Sequence, residues 1–461
     1  MIKQVSKLLP LFLCLNIAVF MSSCNEEEDN QLDDLQSSID ELSYTQTGNV
    51  VTDNPQETMS FVEVAQTFVK GDELKLRINR SNDVVEEYTV YFESAYNGLI
   101  YCTTDEELPV GSGDSGSPLL TTDGKVIGGL GYGYYGSNNL FIATSIDLML
   151  ALSTQETEAT AKSLDGQMGT LGASMFIEGV DFNIFEEYQE EGANLRVANE
   201  NTPNIYFVND NVALSRSNNE TTSAIPGNSI AINLVTGDFL RFGSIGTLTY
   251  DDGETMYAFA HGYSNYSPKA TPVYLANMIT LVERPAQMSF KRAYPTQTQI
   301  GTFVKNGSDG IVLSKDLSYQ TITNTTNITY NDNISTYTHE IAQDNQPYKE
   351  MYLNKLVSAL SVRKSLSHYV NYYDSYFRLR PSFELELTFE DDTKLIADTT
   401  FSSTSTYSYY NRAYGVDNFV YFALSRMTHD IDKNIKDMTI NVVLEDIDEN
   451  GNVVEDDSDD E

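Results

Sequence analysis

Residues 113–118, with the sequence GDSGSP, are the segment of this chain best suited to carry chemistry. A serine nucleophile needs its hydroxyl on a tight turn, between residues small enough to admit a substrate carbonyl. Backbone N–H groups must also point at the oxyanion that forms on attack. Gly113 and Gly116 permit this close approach. The pattern predicts Ser115 as the nucleophile of an acyl transfer, with an oxyanion hole at Gly113 and Asp114, and a structural hydrogen bond from the Asp114 side chain.

A general base must accept the serine proton, and the sequence offers four histidines. His261 ends a predicted β-hairpin, whereas His339 lies in a strand-like run and His368 and His429 lie in or beside predicted helices. An imidazole with an ordinary pKa of about 6.5 accepts a proton near neutral pH. His261 is therefore the predicted base.

The segments around both residues resemble the SpoIVB-type serine peptidase family. The resemblance spans about residues 100–315 and rests on the serine motif with its return strand KVIGG, on residues 237–262, and on the segments TPVYL, SFK and SIDLML. It implies a chymotrypsin-like double β-barrel in permuted order, with the serine half before the histidine half. The chain departs from the family in having Asp114 where the family usually has Met, and Ala260 and Gly262 in place of the Gly and Pro that flank the family's histidine.

A catalytic carboxylate must hydrogen-bond the imidazole to fix its tautomer. In the family this acid lies shortly before the serine, so the resemblance implies Asp105, with Glu106 and Glu107 as neighbours. The spacing differs from that of the family, and Asp252 is a competing candidate.

The N-terminus has the pattern of an exported lipoprotein. Lys3 and Lys7 precede a short apolar run and then Ser-Ser-Cys, which resembles a bacterial lipoprotein signal with Cys24 as the lipidated residue. The acidic stretch that follows resembles the surface-export tag of Bacteroidetes lipoproteins. We expect a signal peptide over 1–23, an acidic tether over 24–46 and a lipid anchor in the outer membrane, with the protein exposed on the cell surface; the alternative is a cleaved secretory signal.

Charge and cysteine content narrow the class of protein further. The 67 Asp and Glu against 28 Lys and Arg give a net charge of −39, which leaves no basic groove for nucleic acid. Three cysteines cannot build a disulfide framework once Cys14 is removed and Cys24 is lipidated, so Cys102 is expected to be a small buried hydrophobe.

The elements that must position the site are mainly strands. Short apolar runs between turn residues predict a serine-bearing barrel half over 47–155 and a histidine-bearing half over 226–315, joined by an elaborated connection over 156–225. A helical period at 353–360 and strict alternation at 383–389 predict an α+β domain over 316–445. The acidic tail over 446–461 has the spacing of a calcium loop, but it follows a strand rather than a helix, which favours a hairpin.

Together these features predict a serine endopeptidase of the cell envelope that acts on protein or peptide substrates without a cofactor or metal. The alternative is an inactive envelope lipoprotein that uses the same barrel to bind protein or glycan.

Overall fold

The computed structural model describes residues 48–134, 137–154, 168–179, 205–208, 224–263, 269–282, 289–330, 332–345, 347–366, 377–400, 406–407, 416–428, 431, 433–448 and 452–454. The predicted signal peptide, the tether and Cys24 lie outside these residues. The described part of the chain is mainly β, which confirms the predicted class.

The first strands in chain order are β1 (Asn49–Val51), β2 (Glu73–Ser81), β3 (Val84–Tyr96), β4 (Leu99–Thr103), β5 (Gly111–Ser112), β6 (Pro118–Thr121), β7 (Val126–Tyr134), β8 (Ser137–Ser145), β9 (Met168–Thr170), β10 (Ser174–Glu178) and β11 (Ile205–Val208). The later strands are β12 (Ser229–Gly237), β13 (Arg241–Asp251), β14 (Thr255–Ala258), β15 (Thr271–Val282), β16 (Ser289–Gly307), β17 (Gly310–Ser314), β18 (Thr321–Tyr330), β19 (Asn333–Ala342), β20 (Phe377–Phe389), β21 (Lys394–Thr400), β22 (Thr406–Tyr407) and β23 (Ile435–Asp446). The helices of the described residues are α1 (Phe61–Thr67), α2 (Ile146–Ala151), α3 (Pro347–Leu366) and α4 (Val416–Met427).

Six strands of the first sheet close into an antiparallel barrel in the order β3, β2, β6, β7, β8, β4 and back to β3. Alternate residues of a strand point to opposite faces. In β2 the alternating residues Leu74, Leu76 and Ile78 are each at most 1% exposed, so they fill the barrel core. The buried Cys102 on β4 belongs to the same barrel, as predicted, and burial raises the pKa of its thiol. Closure removes the exposed edges that an open sheet would present.

The second sheet contains a ring of antiparallel pairings and a long extension. The ring runs β12, β13, β14, β17, β16, β15 and back to β12. Strands β10 and β11 extend the sheet beyond β13. On the other side β12 pairs with β19, which continues the sheet through β18, β23, β20 and β21.

The C-terminal elements follow the predicted periodicities. Leu353, Leu356, Val357 and Leu360 are all buried, as the helical period predicts, but Asn354, Ser358 and Val362 are buried too, so the burial of α3 extends beyond the predicted face. On β20 the buried Phe383, Leu385, Leu387 and Phe389 alternate with more exposed glutamates and threonine. Helices α3 and α4 and the extension of the sheet share one apolar core with β12, β13 and β14. The predicted α+β region is therefore continuous with the sheet that carries His261.

One local prediction is corrected by the structure. The apolar runs at 239–242 and 247–250, separated by Gly246, predict two strands, but β13 runs unbroken from Arg241 to Asp251. Gly246 lies within this strand, and a Cβ there would be only 1.9 Å from the Phe259 ring. The glycine makes room for an aromatic side chain and does not mark a turn.

Candidate functional site

The serine loop joins β5 to β6 and is built against the second sheet. Strand β5 pairs in parallel with β16, and a Cβ on Gly111 would lie 2.0 Å from the Ser289 carbonyl oxygen. Gly113 and Gly116 have φ values of 92° and 97°, a region that suits glycine. The sharp turn places Ser115 at the meeting of the two sheets, where it is 0% exposed.

Two threonines of β13 hold this loop. The Thr247 amide donates to the Ser115 carbonyl at 2.8 Å, and the Thr247 hydroxyl donates to the Gly113 carbonyl at 2.9 Å. The Thr249 hydroxyl donates to the Gly116 carbonyl at 2.7 Å. A Cβ on Gly116 would lie 2.1 Å from the Thr247 carbonyl oxygen and 2.5 Å from the Phe259 nitrogen. The backbones therefore touch, and only glycine fits at position 116.

Asp114 anchors the loop through a buried ion cluster. Its carboxylate accepts from Arg80 Nη1 at 3.1 Å and from Lys291 Nζ at 2.9 Å, and it accepts the Gly111 amide at 3.1 Å. Burial acts to raise the pKa of Asp114, but the charges of Arg80 and Lys291 outweigh it and hold the pKa below its usual range. Burial lowers the pKa of Lys291, and Asp114 opposes that shift. The side chain predicted to make a structural hydrogen bond thus joins β2, the serine loop and β16.

His261 follows a strained turn at the end of β14. Phe259 and Ala260 have φ values of 69° and 55°, which non-glycine residues rarely adopt. The turn is held where the Thr144 hydroxyl donates to the Ala260 carbonyl at 2.6 Å. Ala260 also lies against β7, since a Cβ on Gly129 would be 2.9 Å from the Ala260 Cβ. Strain of this kind is kept only where the surroundings enforce it, and it is common at functional sites.

The hydrogen bonding of the imidazole defines its tautomer. His261 Nδ1 lies 2.8 Å from the Gly262 carbonyl oxygen, and a carbonyl only accepts, so Nδ1 carries the proton. Nε2 is then the unprotonated nitrogen, and in the described part of the chain it has no hydrogen-bond partner. Burial lowers the pKa of His261, and the bond to Gly262 partly offsets this. The ring is held in the form that a general base requires.

The structure brings the two motifs together without a hydrogen bond between the two side chains. Gly116 touches the backbone of Phe259, two residues before His261. Within the described residues, however, the Ser115 hydroxyl donates to the Gly172 carbonyl at 3.1 Å and makes no hydrogen bond to Nε2. The Gly113 amide donates to the same Gly172 oxygen at 3.1 Å, and the Asp114 amide donates to Gly111 at 2.9 Å. Both amides predicted as oxyanion donors are therefore engaged with backbone carbonyls.

Neither candidate acid, Asp105 or Asp252, is the hydrogen-bond partner of His261 Nδ1. Asp105 is exposed and hydrogen-bonds Tyr91, and this bond raises the pKa of the tyrosine. Asp252 is exposed and accepts the amides of Glu254 and Thr255 in the turn between β13 and β14. The partner of His261 Nδ1 is the Gly262 carbonyl, so the backbone occupies the position in which a triad carboxylate was expected.

Several other sequence predictions concern positions away from this site. His339 is a buried strand residue, whereas His368 and His429 lie outside the described residues. Among the residues that the structure describes, no cluster of three acidic, histidine or cysteine side chains could hold a metal ion. In the C-terminal tail, Ile447 and Val453 form an antiparallel bridge, which confirms the predicted hairpin; part of the calcium-loop pattern lies outside the described residues. No described helix has the length and apolar character needed to cross a membrane.

Sequence reasoning missed Arg80, Lys291, Thr247 and Gly172. The lysine and arginine stand in ordinary strand segments, and nothing in their neighbourhood in the sequence indicates that they meet one carboxylate. The one available signal was Asp114 itself, because an acid inside a buried loop needs cationic or amide partners.

Comparison of the chain with protein-family models, with curated proteins and with solved structures finds no match.

Proposed function

We propose that this protein is a serine endopeptidase of the cell envelope, with Ser115 as nucleophile and His261 as general base. The observation that carries the proposal is the state of His261: a buried imidazole with Nδ1 held by a carbonyl and Nε2 unprotonated, on a turn that touches the serine loop. The ring of strands β12 to β17 would then be the second barrel of a chymotrypsin-like fold in permuted order, with the first barrel carrying the serine.

The reaction follows from these groups. Ser115 Oγ forms a bond to the substrate carbonyl carbon while its proton passes to His261 Nε2. The resulting oxyanion is stabilised by backbone amides of the serine loop, Gly113 first among them. Collapse breaks the peptide bond, and Nε2 gives its proton to the leaving amine. Water then attacks the acyl-enzyme with the same base and releases the serine.

Labelling with a fluorophosphonate probe tests the proposal on the soluble chain from Asn25 onward. We expect one adduct on Ser115, no labelling of Ser115→Ala, and a loss on the order of 10³-fold or more in His261→Gln. Ser117→Ala is the matched control, since it removes a buried hydroxyl from the same loop. Labelling that survives Ser115→Ala, or that never occurs in folded wild type, removes the peptidase proposal.

A second candidate is an inactive lipoprotein that uses the same scaffold to bind protein or glycan. It is favoured by one observation: Ser115 Oγ and the Gly113 amide are both hydrogen-bonded to the Gly172 carbonyl oxygen. Absence of any adduct on folded protein, together with retained binding of an envelope ligand, would support it.

We also propose that Cys24 carries the lipid that anchors the protein in the outer membrane. Metabolic labelling with an alkyne fatty acid should mark the wild type and not Cys24→Ser, and the variant should leave the membrane fraction. Retention of both label and membrane association by Cys24→Ser would place the anchor elsewhere.

A further inference from the structure

The segment from Met168 to Gly172 runs along β7 and ends against Ser115. Strand β9 pairs in antiparallel register with the part of β7 that lies beyond its pairing with β6, with Thr170 opposite Tyr132 and Gly169 opposite Gly133. The Leu171 amide continues the pairing by donating to the Gly131 carbonyl at 3.0 Å. An extended segment paired with a strand edge is the common way in which proteins hold a peptide backbone.

The segment ends with the Gly172 carbonyl, which contacts the serine loop. Gly172 oxygen accepts from the Gly113 amide at 3.1 Å and from Ser115 Oγ at 3.1 Å. A reacting carbonyl needs its oxygen on the loop amides and its carbon beside the serine hydroxyl. The Gly172 carbonyl oxygen therefore occupies the Gly113 amide that a substrate oxyanion would use, and it also accepts the hydrogen bond of the proposed nucleophile.

The segment is firmly docked at this end. Leu171 is 1% exposed, and its carbonyl accepts a hydrogen bond from the Ser112 hydroxyl. Gly172 has a φ of 67°, which lets the chain turn from β9 into β10. From Ser174 the chain pairs with β13, the strand whose threonines hold the serine loop. The segment is thus fixed on both sheets with Ser115 beneath it.

We infer that residues 168–172 are an internal occupant of the peptide cleft, and that a substrate gains access to Ser115 only when this segment leaves β7. The inference rests on the proposed peptidase function. The bound serine donates its proton to the Gly172 oxygen and is not bonded to His261 Nε2, so the occupied form is a resting form that does not cleave itself.

Loosening the segment should speed labelling by a fluorophosphonate. Gly172→Ala forces a side chain into the left-handed region, which should raise the labelling rate of the chain from Asn25 onward roughly tenfold. Gly124→Ala is the matched control: Gly124 has a φ of 91° with nothing within 4 Å of its added Cβ, so it carries a similar backbone cost away from the cleft. Its rate should stay within about twofold of wild type.

A second pair of variants distinguishes local release of residues 168–172 from unfolding of the whole protein. Leu171→Asp places a charge in a buried position, whereas Thr170→Asp adds the same charge to the neighbouring exposed residue. In Leu171→Asp, but not in Thr170→Asp, the backbone amides of positions 171 and 113 should exchange hydrogen faster, while the other strands stay protected. The rate of fluorophosphonate labelling should rise in the same variant.

The outcomes separate the two ideas. If Gly172→Ala and Gly124→Ala label at the same rate as wild type, the segment does not guard the serine and the inference is overturned while the peptidase proposal stands. If exchange shows the segment released but no variant is labelled, the peptidase proposal fails, and the segment covers no reactive serine.

Discussion

Gly116 and Phe259 lie in backbone contact, 143 positions apart: a Cβ on Gly116 would be 2.5 Å from the Phe259 nitrogen. This contact binds the serine loop to the turn that carries His261. Because the atoms that would clash belong to two backbones, side-chain rotation cannot relieve the crowding.

Gly116→Ala should therefore lower both stability and labelling of Ser115. We expect a loss of about 3 kcal/mol or more in the free energy of unfolding, since backbone strain and a steric clash add. Gly124→Ala, which shares the positive φ but has open space, should cost about 1–2 kcal/mol. Urea unfolding measures both, and equal losses for the two variants would show that the contact with Phe259 is not tight.

The ion cluster should be more sensitive to loss of its acid than to loss of its lysine. Asp114→Asn removes the carboxylate that both Arg80 and Lys291 contact, and breaking such a buried pair typically costs about 3–5 kcal/mol. Lys291→Met leaves the Arg80–Asp114 pair in place and replaces a side chain whose pKa burial already lowers. Denaturant unfolding measures the loss of unfolding free energy in each variant. A larger loss for Lys291→Met than for Asp114→Asn would contradict the prediction.

Labelling of Ser115 should persist into mildly acidic solution. The base must be neutral to accept a proton, and burial lowers the pKa of His261 below its usual 6.5. The rate should rise with pH through that lowered pKa, with its midpoint below pH 6.5. Labelling rates measured at fixed pH values between 4.5 and 8 give the profile. A midpoint at or above pH 6.5 would show that burial does not lower the pKa of His261.

His339 should make the protein less stable in acid. It is 0% exposed, packs edge-on against Phe239 at 4.8 Å, and in the described part of the chain neither ring nitrogen has a hydrogen-bond partner. Burial lowers the pKa of His339 to about 4, although Asp238 opposes the shift.

Since the unfolded chain binds a proton at higher pH than the folded chain, this group favours folding above pH 6.5, and that contribution falls as the pH drops from 6.5 to about 4. The full loss is up to about 3 kcal/mol. His339→Phe should flatten this part of the curve of unfolding free energy against pH, while Ser117→Ala should keep the wild-type slope. An unchanged slope in His339→Phe would assign the acid sensitivity to other groups.

Local patterns in the sequence predicted much of the fold. The alternation at 383–389 and the helical period at 353–360 were confirmed because each depends on residues a few positions apart. The predicted break at Gly246 was wrong because the sequence does not distinguish a glycine that makes room for a distant aromatic ring, here that of Phe259, from a glycine that turns the chain.

The candidate site was predictable only in part for the same reason. The serine loop carries its own glycines, but its anchors, Arg80, Lys291 and Thr247, come from strands far away in the sequence. The Gly262 carbonyl is a backbone group that every residue type carries, so its hydrogen bond to the imidazole could not be predicted from the sequence. Gly172 likewise acts through its carbonyl, and its position over Ser115 depends on how the intervening chain returns to β7.

The hydrogen bonds from Thr247 and Thr249 to the serine loop each cross more than 130 positions, with separations of 134 and 133. Contacts of such long range form late in folding. A nascent chain that does not yet include β13 lacks the threonines that hold the serine turn, so the proposed chemistry at Ser115 can begin only after synthesis has nearly reached His261.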